Sequence, residues 1–406
     1  MNRAWKRWVP AAAVPAVIAA GVLVGSIPAR AGDPLPEKSP TEILTLLGQH
    51  STRTFSGTVE QVSDLGLPEL PAAGPTSGPA SAGGPASMIE FLTGQHITRI
   101  FVAGPARMRV QVMDRLAERD VIRRDNAVWF YNSKDNTAAH LTLPAFAHDL
   151  PLAVPGAVPA PDAPVPAPDT RMPDMRIPVP PTPEELAAKF LALADSSTAV
   201  TVGPEVQVAG RRAYSLELAP RTEGTLLEKV AIAVDGQTGM PLKVTVSARG
   251  QSQPAFEAGF TSLSLEAPDD GMFSFVAPPG ATVKELQVPP LHYPHGMTAH
   301  PGEPGTVTPD QATGAAPELP DNTRPKPMVT GEGWETVIGF PAPPDGQGAR
   351  LTEALLNDPL LSQAAVAVPG GRLLSTSLVN VLLTDDGRIF VGMVPADRLQ
   401  AAAGTA

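Results

Sequence analysis

Three histidines, His292, His295 and His300, have the residue type and spacing that best suit metal binding in this sequence. Imidazole nitrogens are common ligands of zinc and other transition metals. The three residues lie in a Pro-rich stretch, however, and metal sites favour rigid elements whose neighbours orient the ligands. The pattern leaves a solvated loop and a weak metal site as alternatives. We predict no cofactor.

Motifs of the common catalytic classes are missing from the sequence. It contains no Gly-x-Ser-x-Gly elbow, phosphate-binding loop, dinucleotide fingerprint or His-Glu-x-x-His pair. The absence of cysteine excludes thiol catalysis, cysteine metal ligands and disulfides. Helix starts and turns account for the paired acids, which are Glu184 with Glu185, Asp269 with Asp270, and Asp385 with Asp386. We therefore expect a protein that is not an enzyme, and the enzyme hypothesis rests on the histidines alone.

Apolar residues suggest a different kind of site. If a β-sheet curls and helices cover its mouth, an aliphatic and aromatic concave face forms a pocket suited to acyl chains. An ordinary filled core would give the same pattern, so both interpretations stay open. The candidate core or cavity residues are Leu44, Leu47, Phe55, Val59, Trp129, Tyr131, Leu186, Phe190, Ile232 and Val244.

The clearest local structure is the stretch Leu227 to Ala248. Apolar and polar residues alternate on both sides of the segment Asp235 to Gly239, which predicts a β-hairpin with one apolar face and a Gly-bearing turn. Because an isolated hairpin is marginal in water, this one must belong to a larger antiparallel sheet.

Capping boxes mark the predicted helices. Ser39 with Glu42 starts a helix from Pro40 to about Thr52, and Thr182 with Glu185 starts a second, mid-chain helix. A third box at Ser87 predicts a short helix that stops at Gly94.

Alternating segments predict about eleven or twelve strands in two meanders, more than an open twisted sheet holds without curling. The fold class is therefore mainly β (α+β), with the sheet curled into a barrel or half-barrel. The candidate segments from which these strands are drawn are Phe55–Ser63, Ile97–Val102, Arg107–Met113, Ala117–Arg123, Ala127–Tyr131, Ala138–Leu143, Val200–Val202, Glu205–Ala209, Ala213–Leu218, the hairpin, Ala255–Leu265, Phe273–Val276 and Ala281–Leu286.

Beyond this region, residues 331–403 read as a small C-terminal α/β module. Its predicted strands are Trp334–Phe340, Val379–Leu383 and Arg388–Val394, and its predicted helices are Leu351–Leu356 and Ala396–Ala402. Pro-rich stretches divide the chain, since they cannot bury a core. They are disordered insertions at 68–86 and 144–181 within a domain at 39–286, and a linker at 287–330.

The N-terminus predicts export. Arg3, Lys6 and Arg7 precede an uncharged apolar run, and Ala29-Arg30-Ala31 fits a cleavage site, so residues 1–31 form a signal peptide. An uncleaved membrane anchor is the alternative, because the apolar run approaches spanning length. The formal charge of -11 argues against nucleic acid as a partner.

The order of three short motifs resembles the LolA/RseB superfamily over about residues 39 to 286. They are Phe55-Ser56-Gly57-Thr58-Val59, Asn126-Ala127-Val128-Trp129-Phe130-Tyr131 and Val234-Asp235-Gly236-Gln237-Thr238-Gly239-Met240-Pro241-Leu242, which follow a signal peptide and flank the mid-chain helix. The resemblance implies an unclosed antiparallel β-barrel lidded by helices, with a cavity for the acyl chains of a lipid or lipoprotein.

The resemblance also implies two alternative functions, neither of them enzymatic. One is an exported lipoprotein carrier of the LolA type, whose partners include a membrane transporter. The other is an envelope-stress regulator of the RseB/MucB type, which the two-domain layout resembles more and which binds a membrane anti-sigma factor. Both place the protein in the extracytoplasmic space.

Overall fold

The computed structural model describes residues 34–66, 94–113, 117–143, 180–286, 327–342 and 365–404. The predicted signal peptide, the short helix from Ser87, the helix Leu351–Leu356 and the three histidines lie outside the described residues, as does most of each Pro-rich stretch. The elements below all belong to one unit that runs from Lys38 to Ala406.

A single large sheet contains twelve strands in the order β12-β6-β5-β4-β3-β2-β1-β11-β10-β9-β8-β7. Its strands are β1 (Thr54–Ser63), β2 (Gly94–Ala103), β3 (Arg107–Met113), β4 (Glu118–Arg124), β5 (Ala127–Asn132), β6 (Thr137–Thr142), β7 (Thr198–Val208), β8 (Arg211–Pro220), β9 (Leu227–Asp235), β10 (Pro241–Ala248), β11 (Phe256–Ser264) and β12 (Thr282–Leu286). The two ends, β12 and β7, do not pair, so the barrel is unclosed. The predicted fold class is confirmed.

The sheet curls strongly at one end. Cα atoms of β7 come within 8 Å of β11, although three strands separate the two in the sheet. Neighbouring strands are antiparallel except at the other end, where β12 runs parallel to β6. A parallel neighbour requires a crossover, because a tight turn can only reverse the chain.

The hairpin of β9 and β10 forms as predicted, and Asp235 organises its turn. The Asp235 carboxylate accepts hydrogen bonds from the backbone of Gln237 and Thr238 at 3.0 and 2.7 Å and pairs with Arg211 at 2.5 Å. Gly239 has a φ of 75°, and a Cβ there would collide with the carbonyl oxygen of Leu46. The Asp-x-x-Thr-Gly motif therefore sets both the turn and the approach of the first helix.

Helices α1 (Pro40–Gly48) and α2 (Pro183–Leu193) start at the predicted capping boxes. The Ser39 hydroxyl accepts from the Glu42 amide at 3.3 Å, and the Glu42 carboxylate accepts from the Ser39 amide at 2.8 Å. Helix α1 contacts β7 and β8, and α2 contacts β10 and β11. The helices thus cover the curled end of the sheet.

Parts of the strand prediction are wrong. The segments Val200–Val202 and Glu205–Ala209 belong to one strand, β7, with a register shift between Gly203 and Val206. The predicted strand Phe273–Val276 overlaps a 3-10 helix, Asp270–Phe273, because Asp269 accepts from the Gly271 amide and caps it. Gly94 begins β2, where the sequence predicted a helix end.

The C-terminal residues form a second sheet of six antiparallel strands in the order β13-β14-β18-β17-β16-β15. The strands are β13 (Met328–Thr330), β14 (Val337–Phe340), β15 (Ala365–Val368), β16 (Gly371–Ser375), β17 (Asn380–Thr384) and β18 (Ile389–Gly392). Helix α3 (Ala396–Gly404) buries Leu399 against this sheet. Trp334 lies in a 3-10 helix, Gly333–Glu335, and not in the predicted strand.

Trp334 also connects the two sheets. Its side chain is 1% exposed, its Nε1 donates to Thr198 Oγ1 of β7 at 2.8 Å, and its ring stacks on Phe190 of α2 at 6.4 Å. A backbone hydrogen bond from Leu226 to Met393 adds to the contact at 2.8 Å. The second sheet is therefore packed against the large one through a buried aromatic residue.

Candidate functional site

We define the inner face of the large sheet as the face on which Trp334 meets Thr198. Leu218 of β8 lies on the same face by strand alternation. The cross-strand pairs Leu218–Val230 and Val230–Val246 continue this face across β9 and β10. The pairs of Val244 with Ala258 and of Ala258 with Gln61 extend it to β1. The inner face therefore runs from the strands beneath the helices to β6.

An apolar row crosses the inner face of β2 to β6. Its members pair in sequence across neighbouring strands, and each is at most 4% exposed. They are Ile100, Val110, Val121, Phe130 and Ala139. Most of this row belongs to one hydrophobic cluster with Val128 and Leu141. The result is a continuous apolar surface of aliphatic side chains and one aromatic ring.

A polar row, Thr98, Arg119 and Asn132, lies beside the apolar row. Cross-strand pairs connect these residues from β2 to β5, with Val112 of β3 between Thr98 and Arg119. These side chains are 2%, 7% and 2% exposed. The sequence analysis missed them, because β4 reads Glu-Arg-Asp-Val-Ile-Arg-Arg and puts charged residues on both faces. Two-residue alternation cannot then tell which face is buried.

Four predicted site residues lie on the strands of the inner face. Phe55 and Val59 are on β1, Ile232 is on β9, and Val244 pairs with Ile232 from β10. All are buried, with exposures from 0% to 8%. The structure brings Phe55 and Val59 into one cluster with Phe260 of β11.

Four more lie on the helices. Leu44 and Leu47 on α1 are half-buried, as is Phe190 on α2, whereas Leu186 is buried. Phe190 stacks on Trp334, so the second sheet meets this helix at a predicted site residue.

Trp129 and Tyr131 lie on the outer face, opposite Val128 and Phe130. Both rings pack against Phe275, with centroids 5.2 and 5.5 Å away, and Trp129 stacks on His140 at 4.3 Å. Phe275 belongs to the chain segment that crosses from β11 to β12. The structure thus does not bring these two aromatic residues together with the other eight.

The start of α2 lies close to the residues that follow α1. Glu184 at the start of α2 lies 3.6 Å from His50 and 3.9 Å from Arg53, which follow α1. The next residue, Glu185, is 9% exposed, and burial raises its pKa to about 7, against the opposing effects of the Thr182 amide and Lys189. Near neutral pH this helix start therefore carries a carboxyl group that readily holds a proton.

On the outer face, the buried Asp120 forms an ion pair with the half-buried Arg109. The Arg109 Nη2 lies 2.6 Å from Asp120 Oδ2 and 3.9 Å from Glu118 Oε1. Burial raises the pKa of Asp120, and the Arg109 charge opposes that rise. Alternation along β4 places Glu118 and Asp120 on the face opposite Arg119, where both lie within 4 Å of Arg109.

In the described part of the chain, no group of three or more histidine, cysteine or acidic side chains is placed to hold a metal ion. None of the helices described there has the length and apolarity needed to cross a bilayer. The candidate site is the apolar row of the inner face, bordered by the buried polar row.

The architecture is an open, largely antiparallel sheet with helices at its curled end, followed by a second sheet. No protein-family model and no curated protein sequence matches the chain. Similar solved structures are known, however, and their likeness concerns the fold alone.

The MucA/MucB complex of Pseudomonas aeruginosa contains a chain that is 17% identical, with a TM-score of 0.40 and coverage of 90% of this chain and 96% of that one. An uncharacterised conserved protein from Thermus thermophilus is 11% identical, with a TM-score of 0.30 and coverage of 61% and 98%. A LolA superfamily protein from Nitrosomonas europaea is 10% identical, with a TM-score of 0.20 and coverage of 59% and 99%.

Proposed function

We propose that the protein is an exported, non-enzymatic carrier that buries the acyl chains of a lipid or lipoprotein against its inner face. The apolar row across β2 to β6 is the observation that carries this proposal. Five neighbouring strands contribute to it, so its length suits an extended hydrocarbon chain rather than a compact ligand.

Burial supplies the binding energy in this mechanism. Each methylene group removed from water contributes about 0.8 kcal/mol, so a chain of ten methylenes would contribute up to about 8 kcal/mol before ordering costs. Release then requires a partner or membrane that offers similar burial. A carrier of this kind needs no catalytic residue.

Lipid analysis of the purified protein tests the proposal. Residues 32–406 are produced in a host that makes lipoproteins, and the native mass spectrum and organic extract are examined for acyl species. The proposal predicts bound acyl species that are lost in Val121→Asp, on the inner face, and retained in the exposed outer-face control Arg99→Gln. A protein that carries no lipid and takes up no fluorescent fatty acid would contradict it.

A regulator that binds a membrane anti-sigma factor is the second candidate. It is favoured by the edge strands of the second sheet, where Val329 of β13 and Val366 of β15 are each 64% exposed. The β15 strand reads Ala-Val-Ala-Val. It contains no charged residue or proline, which are the residue types that usually prevent an edge strand from pairing with another chain. Such an edge suits pairing with an extended segment of another protein.

Capture from detergent-solubilised membranes distinguishes this candidate from the carrier. A single-span membrane protein retained by the parent and lost with Val366→Glu, which places a charge on the β15 edge, would support the regulator. Lipid binding should survive this substitution, because Val366 is in the other sheet. Equal capture by both proteins would contradict an interaction through β15.

A further inference from the structure

Few contacts hold the edge strand β12 on the large sheet. Among the described strands it pairs with β6 alone, in the parallel orientation, which is slightly less stable per residue than the antiparallel one. Four of its five residues are exposed, and the half-buried Leu286 packs against the hydrophobic cluster that contains Val128 and Phe130. A small change in side-chain contacts can therefore decide whether β12 stays on β6.

His140 of β6 links β12 to the strands beyond it. Cross-strand pairing places Trp129 of β5 on one side of His140 and Glu285 of β12 on the other. The imidazole Nδ1 lies 2.9 Å from Glu285 Oε2, and the imidazole stacks on the indole, with centroids 4.3 Å apart. A charged imidazole gains an ion pair from the carboxylate and a cation–π contact from the indole. One proton thus strengthens two contacts of the same residue.

The other charged and polar groups around His140 have partners of their own or face away from it. The pairs on the neighbouring elements are Arg109 with Asp120, Arg124 with Asp270, Tyr131 with Asn136, and Asp135 with Thr137. Lys284 of β12 points to the inner face, because it pairs across strands with Ala139. The segment that crosses to β12 brings the ring of Phe275 to Trp129. Among the described residues, Glu285 is therefore the charged partner of His140.

Strand β12 also borders the apolar row. Its Lys284 and Leu286 pair with Ala139 and Leu141 of β6, so both lie on the inner face at the end of that row. Ala139 and Leu141 are 1% and 0% exposed. Detachment of β12 would leave this end of the apolar row without its neighbouring strand.

We propose that His140, with Trp129 and Glu285, forms a pH-sensitive clasp that holds β12 on the sheet while the imidazole is charged and lets it detach when the imidazole is neutral. Imidazole ordinarily titrates between about pH 5 and 8, so the clasp closes in mildly acidic and opens in mildly alkaline surroundings. Opening gives a ligand access to the β6 end of the apolar row. This last consequence rests on the proposed carrier function, whereas the clasp itself does not.

Amide exchange in β12 tests the clasp on residues 32–406. Protection factors, which remove the intrinsic pH dependence of exchange, are measured at about pH 5.5 and about pH 8, on either side of the imidazole range. His140→Gln stays neutral at both values, and Glu285→Gln removes the ion pair but keeps the indole contact. The control is His50→Gln, because His50 contacts Glu184 at the start of α2, which lies over β10 and β11.

We expect protection of β12 in the parent to fall about fivefold or more between the lower and the higher pH, since an exposed ion pair and a cation–π contact are lost together. His140→Gln should show low protection at both pH values, and Glu285→Gln should keep part of the dependence. His50→Gln should match the parent. Fluorescence of Trp129, quenched by the charged imidazole, should rise over the same pH range in the parent and not in His140→Gln.

The comparison of the parent with His140→Gln decides the result. Glu185, whose pKa burial raises to about 7, adds the same pH dependence to both proteins and cancels. Equal protection of β12 in the two proteins at about pH 5.5, or an identical pH dependence in both, would overturn the clasp.

Dodecanoate uptake by the same two proteins tests the consequence for the apolar row. At about pH 5.5, His140→Gln should take up dodecanoate at least about twofold faster than the parent, because its β12 is already loosened. Equal rates together with altered exchange would refute access through β12 and leave the clasp and the carrier function standing. No binding of dodecanoate by either protein would refute the carrier function and leave the clasp to the exchange result.

Discussion

The ring of Phe260 lies directly over Gly57 on the inner face of the large sheet. A Cβ on Gly57 would stand 2.8 Å from Phe260 Cδ1 and 2.6 Å from the Ser262 carbonyl oxygen. Phe260 also makes an edge-to-face contact with Phe55, with ring centroids 6.0 Å apart. The Ser-Gly-Thr strand therefore contains glycine because an aromatic ring from the paired strand occupies the space of its side chain.

Gly57→Ala should destabilise the protein by about 1–3 kcal/mol, because the new methyl group overpacks a buried aromatic contact. Gly48→Ala is the matched control, since nothing lies within 4 Å of a Cβ at that position. Alanine there should be neutral or slightly stabilising. Urea unfolding of both variants measures the difference, and equal midpoints would contradict the account of Gly57.

Trp334→Ala should cost about 3–5 kcal/mol, because it removes a buried ring that joins the two sheets. Trp334→Phe keeps a ring against Phe190 but loses the donor to Thr198, so a smaller loss is expected. Denaturant unfolding gives the free energies, and amide exchange in β7 and α2 reports the contact. Exchange unchanged from the parent in Trp334→Ala would show that the sheets do not depend on this residue.

Glu185 should make stability depend on pH. Its pKa is raised to about 7 in the folded protein from an ordinary value of 4.5, so the folded state binds the proton more tightly than the unfolded state does. The resulting stability is fully present below about pH 4.5 and is lost as the pH rises through 7.

Glu185→Gln tests this dependence and retains a side chain that can still accept from Thr182. The variant should exceed the parent in stability at pH 8 by up to about 3 kcal/mol and match it near pH 4.5. Thermal melts across this range check the result, with the exposed Glu266→Gln as control. A stability difference that does not change with pH would contradict the raised pKa.

Local patterns in the sequence predicted the fold class, the capping boxes and the hairpin because short-range interactions determine them. Ser39 and Thr182 satisfy amides three residues away, and Asp235 organises its own turn. Both β6 and β12 were predicted as strands, but their parallel pairing was not, because it depends on a long crossover. In the second sheet, strands β13, β15 and β16 were missed, and β13 lies within the predicted Pro-rich linker.

The site was harder to predict than the fold. Alternation separates the faces of a strand but does not say which face is inner, so Trp129 and Tyr131 were grouped with residues on the opposite side. Arg119 and Thr98 looked like ordinary surface residues in the sequence. Only the cross-strand pairs show them side by side with the apolar row.

Photo-crosslinking with a fatty acid that carries a diazirine at its chain end tests the central claim most directly, because it uses the unmodified protein. Mass spectrometry of the labelled peptides should locate the label on inner-face residues of β3 to β5, such as Val110, Val121 and Phe130. Excess unlabelled fatty acid should suppress this labelling. Labelling of outer-face residues such as Ile122 or Tyr131, or no saturable labelling, would contradict acyl-chain binding at the inner face.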